Sequence, residues 1–142
     1  MIRKLIIELR PDTCGGKGPD ISILLDGELL DRLIVDRPMT WHIYKKILPG
    51  DHNLSICFHN EDNTRFYDWG EDPDGEIRAL HVDAICFAND GANAVVFDLS
   101  SDVLGDWTPL FKFDEPAGIT YSGGLGFSMF KNGCANVILP VR

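Results

Sequence analysis

Hydrophobic and polar residues alternate along most of this chain, and the alternation predicts a series of short β-strands. Residues 52–59 show it clearly, because Leu54, Ile56 and Phe58 alternate with polar residues and a cysteine. A period of two is typical of a strand with one face on a core and the other toward solvent. No segment sustains the 3.6-residue period of an amphipathic helix. We therefore predict an all-β fold.

The stretch at residues 77–87 alternates in the same way but changes phase part-way along. Leu80 and Val82 are at even-numbered positions, whereas Ile85 and Phe87 are at odd-numbered positions. One extra residue in a strand turns every later side chain to the opposite face, and a β-bulge supplies such a residue. We predict a bulge within this strand.

Turn signals divide the rest of the chain into further strands. Asp26-Gly27 and Asn132-Gly133 are dipeptides favoured in two-residue hairpin turns, and Pro49-Gly50 ends another strand. The other predicted strands span residues 2–9, 21–25, 29–35, 41–48, 94–99, 125–131 and 134–141, the last two forming a hairpin. Many short strands at regular spacing predict a single antiparallel β-sandwich, jelly-roll-like, in one domain over residues 1–142.

Three stretches lack a clear strand pattern. Residues 11–19 are rich in glycine but are not followed by a helix, so we predict a plain connection and not a phosphate-binding loop. Residues 100–118 are predicted to be irregular, with a short helical turn near 102–104. Residues 121–124 are predicted to be a flexible lead-in to the next strand.

Between the strands at 52–59 and 77–87 lies a strongly acidic loop, residues 60–76. Its carboxylates face one cation, Arg65; they are Glu61, Asp62, Asp68, Glu71, Asp72, Asp74 and Glu76. Crowded carboxylates repel one another unless water or a cation neutralises them. Ca²⁺ is the natural ion for such a loop, because it takes carboxylate, amide and carbonyl oxygens.

Aromatic residues lie among these acids, namely Phe66, Tyr67 and Trp69. Exposed rings beside polar groups commonly form a binding surface. Burying Trp69 would bring charged neighbours into low dielectric, which is costly unless they are paired. The alternative is a solvated loop whose rings fold back onto the core.

Composition and charge restrict the classes of partner that we expect this chain to bind. Hydrophobic residues make up 44% of the 142, which fits a globular protein, and the formal net charge is -9. That charge argues against nucleic acid or an anionic membrane and is compatible with a cation or a neutral glycan. The N-terminus lacks the apolar stretch of a signal peptide, and no apolar run could span a bilayer, so we expect synthesis in a cytoplasm without export.

Cysteine and histidine usage gives no strong site. The four cysteines are Cys14, Cys57, Cys86 and Cys134, with no C-x-x-C pair, so zinc is not predicted. Cys57 and Cys86 flank the acidic loop and are candidates for close approach, yet we expect reduced, buried thiols. His59 and His81 are a minor metal-binding alternative across the same pair of strands.

Catalysis is not predicted. The chain has no G-x-S-x-G elbow, and its acids are so numerous that any pair could be chosen as a catalytic dyad. We therefore expect a protein that binds and does not catalyse.

Two short segments resemble the calcium-dependent, xylan-binding type of carbohydrate-binding module. They are Ile56-Cys57-Phe58-His59-Asn60-Glu61-Asp62 and Leu80-His81-Val82-Asp83-Ala84-Ile85. The resemblance covers residues 2–88 and implies a β-sandwich whose bound Ca²⁺ engages sugar hydroxyls. Where the family has an Asp-Arg-Asn triplet, this chain has Ile77-Arg78-Ala79, so Asp74 or Glu76 is the candidate substitute for the missing acid.

Taken with the acidic loop, the resemblance implies two sets of site residues. The Ca²⁺ ligands are Asn60, Asp62, Asp72, Asp74 and Glu76, and the glycan contacts are Tyr67, Trp69 and Asp62. The architecture is also similar to small β-sandwich proteins of tailed-phage virions, which implies a structural subunit with neighbouring subunits as partners, in a homo-oligomer. Glycan binding on a virion is the first hypothesis, a purely structural subunit the second, and a glycan-active enzyme a distant third.

Overall fold

The computed structural model describes residues 2–60, 78–89, 95–96, 104–109, 119–122 and 126–141. Within them the chain forms the strands β1 (Ile2–Asp12), β2 (Asp20–Leu25), β3 (Glu28–Ile34), β4 (Met39–Lys46), β5 (Gly50–Phe58), β6 (Ala79–Asn89), β7 (Val95–Val96), β8 (Leu104–Pro109), β9 (Ile119–Ser122), β10 (Gly126–Met129) and β11 (Gly133–Val141). The predicted all-β class is confirmed. In the same residues there is no helix with the length and hydrophobicity needed to cross a membrane.

The strands form two antiparallel sheets. Sheet I has the order β4-β1-β6-β10-β9, with β7 also pairing with β6, and sheet II has the order β3-β2-β5-β11-β8. Every pairing between neighbouring strands is antiparallel. The predicted sandwich is therefore confirmed.

The core lies between the inner faces of the two sheets. Alternate residues of β5 supply Leu54, Ile56 and Phe58, all with no solvent exposure, as the period of two predicts. From sheet I, β1 contributes its own alternating set, Leu5, Ile7 and Leu9. Burying one such side chain contributes about 2 kcal/mol, so the two stripes together hold the layers against each other.

The predicted bulge is present in β6. Ala84 pairs with Glu8 and Val82 pairs with Leu9, so Asp83 has no counterpart on β1. This one extra residue lets Val82 and Ile85 both face the core. The hairpin at Asp26-Gly27 is also confirmed, because both residues have the positive φ values, 51° and 83°, that a tight turn of this kind requires.

Two turns at one end of the sandwich are tied together by His52. Its Nδ1 donates to Asp26 Oδ2 (2.6 Å) and its Nε2 donates to the Leu48 carbonyl (2.6 Å), an arrangement that requires a proton on both nitrogens. The bond to Asp26 raises the pKa of His52 against the effects of burial and of Arg3. Burial acts to raise the pKa of Asp26, but the hydrogen bonds from His52 and the Asn53 N–H outweigh it and lower the pKa.

Four expectations about strand placement are wrong. The predicted hairpin at Asn132-Gly133 does not form, because β10 belongs to sheet I and β11 to sheet II. Residues 104–109, expected to be irregular, form β8 beside β11, and the expected flexible lead-in overlaps β9. The strands on either side of the acidic loop, β5 and β6, lie in different sheets.

The expectation of four reduced thiols is also wrong. Cys57 of β5 lies directly opposite Cys134 of β11, and the two form a disulfide. Because a strand pairing fixed by the whole fold brings these positions together, the spacing of cysteines along the sequence does not reveal it. Cys86 lies on sheet I, so its expected approach to Cys57 is wrong, and the thiols of Cys86 and Cys14 take no part in a disulfide. Burial raises the pKa of the Cys86 thiol, and the charge of Glu8 adds to this effect.

The strand register defines two ends of the sandwich. Ile2 pairs with Lys46, and Val141 pairs with Gly50, so both termini of the described chain lie at one end. At the other end β5 finishes at Phe58 and β6 begins at Ala79. We call this second end the loop end.

Candidate functional site

The predicted site residues fall mostly outside the described part of the chain. These are Asp62, Tyr67, Trp69, Asp72, Asp74 and Glu76. Asn60 is described, and so is Arg78, where the chain re-enters sheet I. Segment 61–77 therefore connects sheet II to sheet I, and both of its ends are fixed at the loop end.

The Asn60 side chain ties the end of β5 to the segment that precedes β2. Its Oδ1 accepts a hydrogen bond from the Asp20 N–H (2.7 Å), and its Nδ2 donates to the Gly18 carbonyl (3.2 Å). The neighbouring His59 N–H donates to the Asp20 carbonyl (2.9 Å). Since an amide oxygen has two lone pairs, Oδ1 keeps one that a cation could use.

Arg78 is buried at the base of segment 61–77, with 8% of its surface exposed. Its Nε donates to the Lys17 carbonyl (3.0 Å), its Nη1 to the Asn60 carbonyl (2.5 Å) and its Nη2 to the Cys14 carbonyl (2.9 Å). A buried guanidinium is costly unless it is hydrogen-bonded, and three charge-assisted bonds offset the cost. Arg78 thereby joins both ends of the segment.

The Cys14 and Lys17 carbonyls that accept hydrogen bonds from Arg78 belong to one tight turn. These two residues exchange backbone hydrogen bonds of 3.0 and 3.2 Å, and Gly15 and Gly16 between them have φ values of 63° and 76°. Such values favour glycine at both positions. We call the assembly of this turn with Gly18, Asn60 and Arg78 the Arg78 clasp. The stretch expected to be a plain connection is thus part of the site's base.

Close packing holds the clasp against the edge of sheet II. A Cβ on Gly18 would lie 1.8 Å from the Val35 carbonyl oxygen, far inside contact distance, so only glycine fits there. The Val35 N–H donates to the Pro19 carbonyl (2.8 Å) on the same stretch. The backbone at Gly18 and Pro19 is therefore held in place by its contacts with the Val35 backbone.

The histidine alternative for a metal site is wrong. His59 Nε2 lies 2.7 Å from Ser22 Oγ, whereas His81 contacts Asp12 and Ser128 on a different sheet. Among the described residues, no three His, Cys, Asp or Glu side chains come together in a way that could hold a metal ion.

A serine, a histidine and an aspartate line up on sheet I. The Ser128 hydroxyl donates to His81 Nδ1 (2.6 Å), and His81 Nε2 donates to Asp12 Oδ2 (2.8 Å). The exposures run opposite to those of a nucleophilic triad, because Ser128 is 7% exposed whereas the Asp12 side chain is 55% exposed. A buried hydroxyl cannot reach a substrate, so the array ties β1, β6 and β10 together.

Sequence reasoning identified the acidic segment but not the clasp that supports it. In the sequence, Arg78 is only the middle residue of a triplet that departs from the family pattern. The available signal was a lone arginine directly before an apolar strand, combined with the Gly15-Gly16 pair. Neither reveals that the two meet, because 61 residues separate Arg78 from Lys17.

No protein-family model and no curated protein sequence matches the chain. Among solved structures, the chain is similar to a carbohydrate-binding module described as vCBM60 in complex with galactobiose. The TM-score is 0.52 at 13% sequence identity, and the likeness covers 94% of this chain and 95% of that chain. At this identity the likeness establishes the fold, and the expected fold of a carbohydrate-binding module is confirmed.

Proposed function

We propose that this chain is a non-catalytic, glycan-binding module. The observation that carries the proposal is the fold, which is similar to a solved carbohydrate-binding module over 94% of the chain. That module is in complex with galactobiose, which makes galactobiose the first ligand to test. The net charge of -9 favours a neutral sugar over a polyanion.

We place the glycan site in the acidic segment above the Arg78 clasp. Tyr67 and Trp69 offer ring faces to a sugar, and Asp62 accepts bonds from its hydroxyls. The set Asn60, Asp62, Asp72, Asp74 and Glu76 supplies the oxygen ligands that Ca²⁺ prefers, and the ion would add a contact to sugar hydroxyls. The seven carboxylates between positions 61 and 77, and the fixed ends of that segment, support this placement.

Calcium binding is tested by thermal unfolding with and without CaCl₂. At an ion concentration of about 100 times Kd, a single site stabilises the native state by about 2.7 kcal/mol. For a domain of this size, that raises Tm by about 8 °C. Asp74→Ala with Glu76→Ala should abolish the rise, and the matched control is Asp36→Ala with Asp51→Ala, two exposed acids outside the segment. An equal rise in both pairs would reject these ligands.

Glycan binding is tested by calorimetry with galactobiose and with xylan oligosaccharides, after a glycan array. Trp69→Ala and Tyr67→Ala should each weaken binding at least tenfold. Tyr44→Ala is the control, because Tyr44 is 58% exposed on β4, outside the proposed site. Unchanged affinity in Trp69→Ala, or the absence of any bound glycan, would contradict the proposal.

The second candidate is an assembly subunit, such as a virion protein displayed after synthesis in a cytoplasm. The supporting observation is that the edge strands β3 and β4 carry exposed apolar residues, Leu29 (58%), Ile34 (47%) and Tyr44 (58%). A disulfide persists under oxidising conditions, so the Cys57–Cys134 bond would form after release from the cytoplasm. Sedimentation of the purified chain as a monomer at all concentrations would exclude this candidate.

A further inference from the structure

We propose that His52 forms a pH-sensitive latch at the end of the sandwich where both termini lie. Its doubly protonated ring ties the Asp26-Gly27 turn to the connection between β4 and β5, and its neutral ring releases that connection at the Leu48 carbonyl. We call the trio of Asp26, His52 and Leu48 the His52 latch. The proposal is independent of glycan binding, because none of these residues belongs to the site placed in segment 61–77.

The first argument is that both ring nitrogens of His52 face acceptors. Asp26 Oδ2 lies 2.6 Å from Nδ1, and the Leu48 carbonyl oxygen lies 2.6 Å from Nε2. The other carboxylate oxygen, Asp26 Oδ1, also accepts a hydrogen bond, from the Asn53 N–H (2.8 Å). A neutral imidazole carries a proton on one nitrogen only, so it can donate to only one of its two acceptors. The observed geometry therefore belongs to the imidazolium.

The second argument concerns which contact is lost when the ring loses a proton. A hydrogen bond to a carboxylate is charge-assisted and stronger than one to a neutral carbonyl, so the remaining proton stays on Nδ1 beside Asp26. Nε2 then presents a lone pair to the Leu48 carbonyl oxygen at 2.6 Å. Two acceptors at this distance repel each other, so the carbonyl moves away or takes a hydrogen bond from water.

The third argument is that the Leu48 side of the latch is free to move, whereas the Asp26 side is held. The Asp26 N–H donates to the Asn53 carbonyl (2.8 Å), in addition to the bond between its side chain and the Asn53 N–H. Leu48 is 60% exposed, and Gly50 two residues later has a φ of 128°. On the other side, Ile47 is buried in the core. Opening should therefore move the connection and leave the core intact.

Two charged groups act on the pKa of His52 from different elements. The hydrogen bond to Asp26, on the turn between β2 and β3, raises this pKa, whereas burial and the charge of Arg3, on β1, lower it, and the net direction is upward. The latch is therefore closed below the ordinary pKa of about 6.5 and opens as pH rises through the higher pKa of the folded state.

Other groups at this end of the described chain do not compete with that pair. Glu28 and Lys45 pair with each other at 2.8 Å. Asp51 precedes His52 on β5, is exposed, and points to the opposite face because side chains alternate along a strand. Leu139, the residue of β11 in register with His52, is uncharged, and so is every residue of the connection between β4 and β5.

The test follows the latch in the isotope-labelled full chain by NMR, from about pH 5 to about pH 9, the range in which histidine titrates. In the wild type, the ring nitrogens of His52 should report loss of the proton from Nε2. The carbonyl carbon of Leu48 should shift with the same midpoint. The amides of Asp26 and Asn53 should keep their protection against hydrogen exchange, relative to the intrinsic rate, on both sides of that midpoint.

Three variants separate the latch from a general effect of pH. Asp26→Asn retains a side chain that tolerates the φ of 51° but removes the charge, so the midpoint of the Leu48 shift should fall by about one pH unit. His52→Gln should abolish the shift. The matched control is His42→Gln, because His42 is an exposed histidine of β4 outside the latch, and this variant should titrate like the wild type.

Three results would overturn the proposal. The first is a Leu48 carbonyl that does not shift while the His52 ring titrates. The second is a ring that loses its proton from Nδ1 and keeps the one on Nε2. The third is an unchanged midpoint in Asp26→Asn. Should His52→Gln not fold, the titrations of the wild type and of Asp26→Asn decide the question.

Discussion

Breaking the Cys57–Cys134 disulfide should lower stability by an amount that the topology sets. The two cysteines are 77 residues apart in sequence, so the bond closes most of the chain between β5 and β11 into one loop. In the denatured chain, closing a loop of this length removes conformational entropy that corresponds to about 4.5 kcal/mol at 25 °C. That is a large share of the roughly 5–15 kcal/mol by which domains are stable.

The comparison uses the oxidised protein, the reduced protein and the double variant Cys57→Ala with Cys134→Ala. Urea unfolding should show both cross-link-free forms shifted by about 2 M to lower midpoints, given an m-value of about 2 kcal/mol/M. Cys86→Ala is the control, because Cys86 is a free cysteine on the other sheet. Reductant should lower the urea midpoint of this variant as much as it lowers that of the wild type. Alkylation of the unreduced, unfolded chain should modify two thiols, those of Cys14 and Cys86.

Two results would refute this reasoning. Modification of all four cysteines without reduction would show that the bond does not form. Equal midpoints for the oxidised protein and the double variant would show that the bond forms but that the denatured chain is not constrained by it.

Three further predictions concern single residues. His52→Gln should lower the free energy of unfolding by about 1 kcal/mol at pH 6. Because the folded-state pKa of His52 is raised, this contribution is fully present below its unfolded pKa of about 6.5 and disappears as pH rises through the folded pKa. Urea unfolding of both proteins at several pH values measures it. If the wild type and His52→Gln became equally stable as pH fell below about 6.5, at a pH where Asp26 is still ionised, the raised pKa of His52 would be contradicted. Gly18→Ala should lower stability by about 2 kcal/mol or more, because its Cβ would meet the Val35 carbonyl oxygen, and an unchanged Tm would show that the backbone yields there. Iodoacetamide should alkylate Cys86 in the folded protein more slowly than a free peptide thiol at pH 8, because burial raises its pKa; equal rates would contradict the burial.

Local features of the fold could be predicted from the sequence, because their causes are local. The phase change between Val82 and Ile85 located the bulge, since side-chain parity depends only on which residues face the core. Asp26-Gly27 located a hairpin, because the turn type selects residues that tolerate positive φ.

Contacts between strands far apart in the sequence could not be predicted in this way. Asn132-Gly133 has the composition of a hairpin turn, yet the strands on either side enter different sheets, a choice made by the core and not by the dipeptide. Cys134 and Cys57 meet only because β11 lies beside β5. At the candidate site, the composition of the acidic segment was visible in the sequence, but the contact of Arg78 with the early turn required the assembled sandwich.

The position of the chain ends has a practical consequence. Ile2 and Val141 lie together beside Lys46 and Gly50, whereas the two ends of segment 61–77 lie at the far end of the strands. A fusion partner, a linker or a surface attached through either terminus would therefore meet the same side of the sandwich. An anchor attached beside Ile2 or beside Val141 would in both cases leave the loop end turned away from it.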